Sequence, residues 1–187
     1  MIAKSRHYLS NSEQNILSIY HSIYSSHLIY GCQIWGQTNT PSFNKIQINQ
    51  NNALRLVSFA TSFRDHVSPI YYNYRLLKIP DYVTLQNLLL VHDYFNNNLP
   101  ASFLGYFTLL SNIHNHGTRG ALRGQLWAPN TDTVRYGRNS IKHQAILSWN
   151  NFIKQSTGET DFISFSRAQF KKVCINYLVE KYNPNNV

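Results

Sequence analysis

The chain has 187 residues, with 17 lysines and arginines against 8 acids, a formal charge of +9 and a pI near 9.6. At this length folding buries roughly 70% of the surface an unfolded chain exposes, so a core forms without metal or disulfide staples; 43% hydrophobic residues exclude a wholly disordered chain. No apolar run approaches the ~20 residues of a membrane-spanning helix, and the first ten residues lack the apolar stretch of a signal peptide.

A nuclear or cytoplasmic location is therefore the expectation. Two cysteines, Cys32 and Cys174, are too few for a disulfide framework or a cysteine-based zinc site, and read as small buried hydrophobes. The charge suits a polyanionic partner such as DNA, RNA or an anionic membrane surface. Charged residues make up only 13% of the chain, so the excess comes from scarce acids more than from abundant bases.

Ser10-Asn11-Ser12-Glu13 has the spacing of a capping box, in which the serine caps an early N–H and the glutamate reaches back. Behind it Leu17, Tyr20, Tyr24 and Leu28, widened by Ile16, Ile19 and Ile23, predict a helix over about 11–30. Gly31 and Gly36 bracket its end. Pro41 after Thr40 is a second start signal, and Phe43, Ile46, Ala53, Leu54 and Val57 supply an apolar face; the stretch 47–52 is too polar to be buried all round. A loop carries Arg64-Asp65-His66. Ser68-Pro69 starts a short helix ending near Leu77. Ile79-Pro80 starts another, with Val83, Leu85, Leu88, Leu89, Val91 and Phe95 as its buried side, and Leu99-Pro100 breaks it. Tyr20, Tyr24, Tyr30, Trp35 and Tyr71–Tyr74 read as core or core edge.

From about 105 the texture changes. Residues 112–143 hold Arg119, Arg123, Arg135, Arg138 and Lys142 against Asp132 alone, with five breakers among glycine and proline and no helical period. They predict loops and short strands at Ala121–Trp127 and Arg138–His143. Helical texture returns over Ala145–Ile153 and again over about 164–182. The fold expected is mainly α, with a bundle-like helical N-terminal two-thirds and a small β-containing insert before the last two helices. It divides into a helical region 1–105 and a basic loop-and-strand segment with C-terminal helices, 106–187.

The chemistry-bearing patterns are mostly missing. The eight acids are scattered and no Asp-Asp pair occurs, which speaks against a two-metal nucleotidyl-transfer centre. Phosphate-binding glycine loops and the nucleophile elbow are absent. His114-Asn115-His116 has no carboxylate within 15 residues to complete a nuclease site. Asp65 beside His66 reads as a loop contact, and neither cysteine has a spaced histidine. No cofactor, metal or catalytic residue is expected. The basic stretch is more informative: Arg119, Arg123, Arg135, Arg138 and Lys142, with Arg64, are candidate phosphate contacts, and Trp127, Tyr136 and the histidines between them can stack on bases. The same arginines could equally dock the segment onto the helices.

In order along the chain, Leu28-Ile29-Tyr30-Gly31 with Ile34-Trp35-Gly36, the helix Gln50-Asn51-Asn52-Ala53-Leu54-Arg55, Phe63-Arg64-Asp65-His66 followed by Pro69-Ile70-Tyr71, Leu76-Leu77-Lys78-Ile79, Leu99-Pro100, Thr118-Arg119, Trp149-Asn150 and Phe170-Lys171-Lys172 form a series of blocks. Over residues 10–180 the chain resembles the region downstream of the polymerase domain in jockey-like non-LTR retrotransposon reverse transcriptases. It departs from that family in lacking the lysine usual in the Gln50 block. The resemblance implies a thumb-like or post-thumb module that helps a polymerase grip RNA and DNA, with the catalytic aspartates upstream. Its partners would be the RNA or DNA backbone and the polymerase core of the same element. The alternatives are a protein-interaction module that docks on that core without touching nucleic acid, a standalone nuclease, and a degenerate retroelement fragment.

Overall fold

The computed structural model describes residues 13–37, 41–58, 66–113, 117–156 and 161–184. The chain forms two compact units, one from Met1–Tyr82 with Ile175–Val187 and the other from Val83–Cys174. The boundaries of these units fall inside the helices Ile79–Phe95 and Arg167–Val179.

In the first unit α1 (Glu13–Ile19) runs through a π-helical turn (Tyr20–Ser25) into α2 (Ser26–Ile29) without leaving helical backbone angles at Ile19 or Ser26. The residues fully buried along this run are Ile16, Tyr20 and Ser25, at intervals of four and then five. The wider i→i+5 turn is what brings Ser25 onto the same inward face. Serines in the run, notably Ser26 with Oγ on the carbonyls of Ser22 (2.7 Å) and Ile23 (3.0 Å), compete for the backbone acceptors. The capping residues Ser10 to Ser12 lie outside the described residues. Gly31, at φ +63°, stops the helix, and the single turn α3 (Cys32–Trp35) follows. Trp35 Nε1 donates to the Tyr30 carbonyl at 3.0 Å. Tyr30 itself, expected at the core edge, is 85% exposed because the left-handed glycine turns the chain immediately after it.

Helix α4 (Pro41–Val57) starts at its proline as expected and buries Ala53, Leu54 and Val57. Its polar middle is the surprise. Ile48 is exposed, whereas Gln50 is 0% exposed. Gln50 Nε2 donates to Tyr20 Oη (3.1 Å) and to the Leu77 carbonyl (2.9 Å). One helical turn earlier, Gln47 donates to Tyr71 Oη (2.9 Å) and accepts from the Ile79 N–H (3.0 Å). These two carboxamides satisfy the backbone of the link between α5 (Ser68–Asn73) and α6 (Ile79–Phe95). That link ends α5 with Arg75 in the left-handed region (φ 52°), and Leu76 N–H returns to the Tyr71 carbonyl at 2.9 Å. Tyr182, from the 3-10 turn Glu180–Tyr182 after α9 (Arg167–Val179), accepts from the Lys78 N–H (3.1 Å) and donates to Asp81. Lys78 Nζ lies 4.9 Å from the centre of the Tyr182 ring.

In the second unit the aromatic core joins Trp149, Phe152, Phe162 and Phe170. Trp149 and Phe152 belong to α8 (Ile141–Gln155), whose first turn is capped by Ser140 Oγ accepting from the His143 N–H. His92 of α6 stacks on Phe170 (4.5 Å, 10°) and contacts the Phe165 carbonyl through Nε2 at 3.0 Å. Asp93 beside it takes Arg167 Nε on both carboxylate oxygens, at 2.9 and 3.0 Å. Helix α6 ends through Asn97 (φ 55°), before Pro100 is reached.

Among the described residues the chain is mainly helical and has no strand, so the expected β insert is corrected. Ala121–Trp127 belongs to the single turn α7 (Arg119–Leu122) and an extended stretch with one isolated antiparallel bridge, Leu109 to Leu126. The partner that would make Leu126 part of a ladder is replaced by a side chain, described below. Arg138–His143 leaves a π-helical turn (Val134–Arg138) and enters α8, because the Ser140 cap starts a helix there.

Two outcomes follow. Gln50→Ala strands a buried tyrosine hydroxyl and a buried carbonyl, each costing about 1–3 kcal/mol; urea denaturation should show a loss of about 2–4 kcal/mol, and a loss below about 0.5 kcal/mol would contradict the network. Burial also holds the phenols of Tyr20, Tyr71 and Tyr182 well above the usual 10.0. Their contribution to stability is complete below that value and is lost as pH rises towards their folded values. Unfolding free energy should therefore fall with pH above about 10, with these tyrosines ionising only as the protein unfolds. Titration of every tyrosine near 10 in a protein that stays folded would refute this.

Candidate nucleic-acid interface

The basic segment of the second unit is built around α7. Thr118 Oγ1 caps it by accepting from the Ala121 N–H at 3.2 Å. At its other end Gly124, at φ +73°, reverses the chain, with Gln125 N–H on the Gly120 carbonyl (3.0 Å) and Gly124 N–H on the Ala121 carbonyl (3.2 Å). This is the paired closure that a left-handed residue after a helix end permits. A Cβ at Gly120 would lie 2.4 Å from the tip of the Gln125 side chain, which would have to swing aside.

The exit is then clamped to α8. Trp149 Nε1 donates to the Gly124 carbonyl (3.0 Å). Asn150 takes the Leu126 N–H on Oδ1 and donates from Nδ2 to the Leu126 carbonyl, both at 2.8 Å. A carboxamide thus pairs with a peptide group as a neighbouring strand would. On the other side Trp127 N–H donates to the Thr108 carbonyl (2.9 Å) and Leu110 N–H to the Gln125 carbonyl (2.8 Å).

The candidate phosphate contacts fall out differently. Arg119 and Arg123 are exposed and stand four residues apart, at the first residue of α7 and at its C-cap, with Arg123 N–H on the Arg119 carbonyl (3.2 Å). Arg138 is exposed at the end of the π-helical turn. Among the described residues the ion pairs are Arg167 with Asp93 and Lys181 with Asp81, so none of these three arginines is held by a carboxylate. Lys142 is half-buried, with Nζ 5.0 Å from the centre of the Tyr106 ring, and is in part committed to that contact. Arg135 lies within the π-helical turn. Arg64, Asp65, His114 and His116 lie outside the described residues.

Three exposed lysines were missing from the expected set: Lys154 on α8, and Lys171 and Lys172 on α9, again without a carboxylate partner among the described residues. The clamp residues Thr118, Trp149 and Asn150 were visible only as members of recurring blocks. Nothing in their spacing declared that they bond to one segment.

Other chemistry is weakly provided for. Cys32 and Cys174 are both buried, and burial pushes their thiols up to about 11 and about 12, which keeps them protonated at neutral pH. No group of three or more potential metal ligands occurs among the described residues. No helix among them is long and apolar enough to cross a membrane.

Replacing the clamp should open the segment locally. Asn150→Ala should speed amide exchange at Leu126 and Trp127 by about tenfold or more while leaving Ala145 and Ile146 in α8 protected. Equal exchange at Leu126 in both proteins would show that the clamp holds nothing.

No family model matches the chain, and no curated protein or solved structure matches it.

Proposed function

We propose that this chain is a non-catalytic, nucleic-acid-binding segment that supports a polymerase of the non-LTR retroelement kind, as the C-terminal part of its reverse transcriptase. The observation that carries the reading is the exposed pair Arg119 and Arg123, without carboxylate partners among the described residues and presented on a turn whose two ends are capped and clamped. Arginines placed this way hold little of their charge in internal pairs and have it available for phosphate, which their planar fork can grip on two atoms. The overall charge of +9 acts in the same direction by drawing a polyanion to the surface. The blocks that suggested the retroelement family have local structural reasons. Gly31 with Trp35 closes a turn, Gln50 bonds the link near Leu77, Thr118 caps α7, and Trp149 with Asn150 clamps its exit.

A second reading has its own support. Leu104, Leu122 and Val134 are 82%, 79% and 62% exposed, respectively. Apolar side chains so placed suit docking on a polymerase core without nucleic-acid contact.

Binding of labelled RNA and DNA across a salt series separates the two. With about six phosphates engaged, log K falls with log salt at a slope of about −4 to −5, and the Arg119→Ala, Arg123→Ala double variant reduces that slope by about 1 to 2. A flat salt response, or no binding at low salt, overturns the nucleic-acid reading in favour of docking.

A further inference from the structure

The clamped segment also carries Trp127, and its position suggests what kind of nucleic acid the surface takes. Its side chain is 42% exposed. Among the described residues it stacks on no ring and its indole N–H has no acceptor, in contrast to Trp35 and Trp149, whose indoles donate to the carbonyls of Tyr30 and Gly124. The ring therefore keeps a large aromatic face and a free indole donor available to a ligand. The backbone on which it stands is fixed. Leu126, the residue before it, is 2% exposed and held at both peptide groups by Asn150, and the Trp127 N–H is itself bonded to Thr108. A ring projected from such a backbone loses little freedom when it meets a ligand, which is what a preorganised contact requires.

Arg123 is four residues before Trp127, within roughly 14 Å by chain length alone. Arg119 is a further helical turn away, about 6 Å along the axis, close to two steps of a stacked strand at about 3.4 Å each. Two cations and one open ring on a single short, braced segment make a surface for phosphates beside a base. The ring can be used only if a base offers its face. In a duplex the faces are covered by neighbouring bases, and uncovering one costs a few kcal/mol; in a single strand they are available.

We infer that the Arg119–Trp127 segment is a binding site for single-stranded nucleic acid, in which one base stacks on Trp127 while Arg119 and Arg123 hold flanking phosphates. This rests on the nucleic-acid reading given above and narrows it to unpaired strands.

The test compares the wild-type chain with Trp127→Ala and Trp127→Phe for affinity to oligo(dT), oligo(U) and a blunt DNA duplex of the same length, with thermal unfolding as a control for folding. Trp127→Ala should weaken binding to the single strands by about 5- to 150-fold, the range for loss of one stacked base, and leave duplex affinity and the salt slope unchanged. Trp127→Phe, which keeps a ring, should recover most of the loss. Equal weakening with oligo(dT) and oligo(U) assigns stacking to the base alone, whereas a loss confined to one of them assigns the site to DNA or to RNA. Trp127→Ala with unchanged single-strand affinity, or with equal losses for duplex and single strand, overturns the site while leaving the salt-dependent reading standing. A wild-type chain that binds none of the three probes at low salt overturns both.

Discussion

Every buried backbone group that a helix does not pair must find another partner, and in this chain that partner is repeatedly a carboxamide. Gln50 and Gln47 of α4 satisfy the link between α5 and α6 at Leu77 and Ile79. Asn150 of α8 satisfies both peptide groups of Leu126. A carboxamide offers a donor and an acceptor on one planar group, and so copies the hydrogen-bonding face of a peptide without adding charge. A fold made of helices and irregular links, without strands among its described residues, depends on such groups wherever a link runs through the interior. The low charge content and frequent Asn and Gln of the sequence acquire a structural purpose in this light.

Helix starts were readable because their signals are local. Pro41, Ser68-Pro69 and Ile79-Pro80 each open a helix where expected, since proline's fixed φ and missing donor act at one position whatever surrounds it. What failed to show in the sequence was tertiary. Gln50 sits in a run that reads as solvent-facing, and the hydroxyl of Tyr20, the carbonyl of Leu77 and the Gln47 side-chain amide make its burial favourable. The alternation around Ala121–Trp127 suggested a strand, but the group opposite Leu126 is a side chain on a helix and not another strand. Tyr30 looked like core by type and spacing, yet one left-handed glycine placed it outside. Of the candidate site, the charge of Arg119, Arg123 and Arg138 was legible; the bracing that turns two of them into a surface was not.

Each unit holds some of its charged groups in ion pairs and others against aromatic rings. In the second unit Asp93 is largely buried and is answered by Arg167 on both oxygens, as a carboxylate withdrawn from water requires. The arginines of α7 have no such partner among the described residues and stay at the surface, where an unpaired guanidinium costs little. In the first unit Lys181 pairs with Asp81 while Lys78 sits over the rings of Tyr71 and Tyr182, and in the second Lys142 lies over Tyr106.

The π-helical turn at Tyr20–Ser25 bears on how the chain length could have changed over time. In a regular helix each added residue rotates everything beyond it by about 100°, which would carry one half of an inward face to the outside. A π turn confines the extra residue to a single wider loop of backbone, so that Ile16 before it and Tyr20 and Ser25 at its two ends keep a common direction. The turn therefore has the form of an insertion accommodated inside a helix.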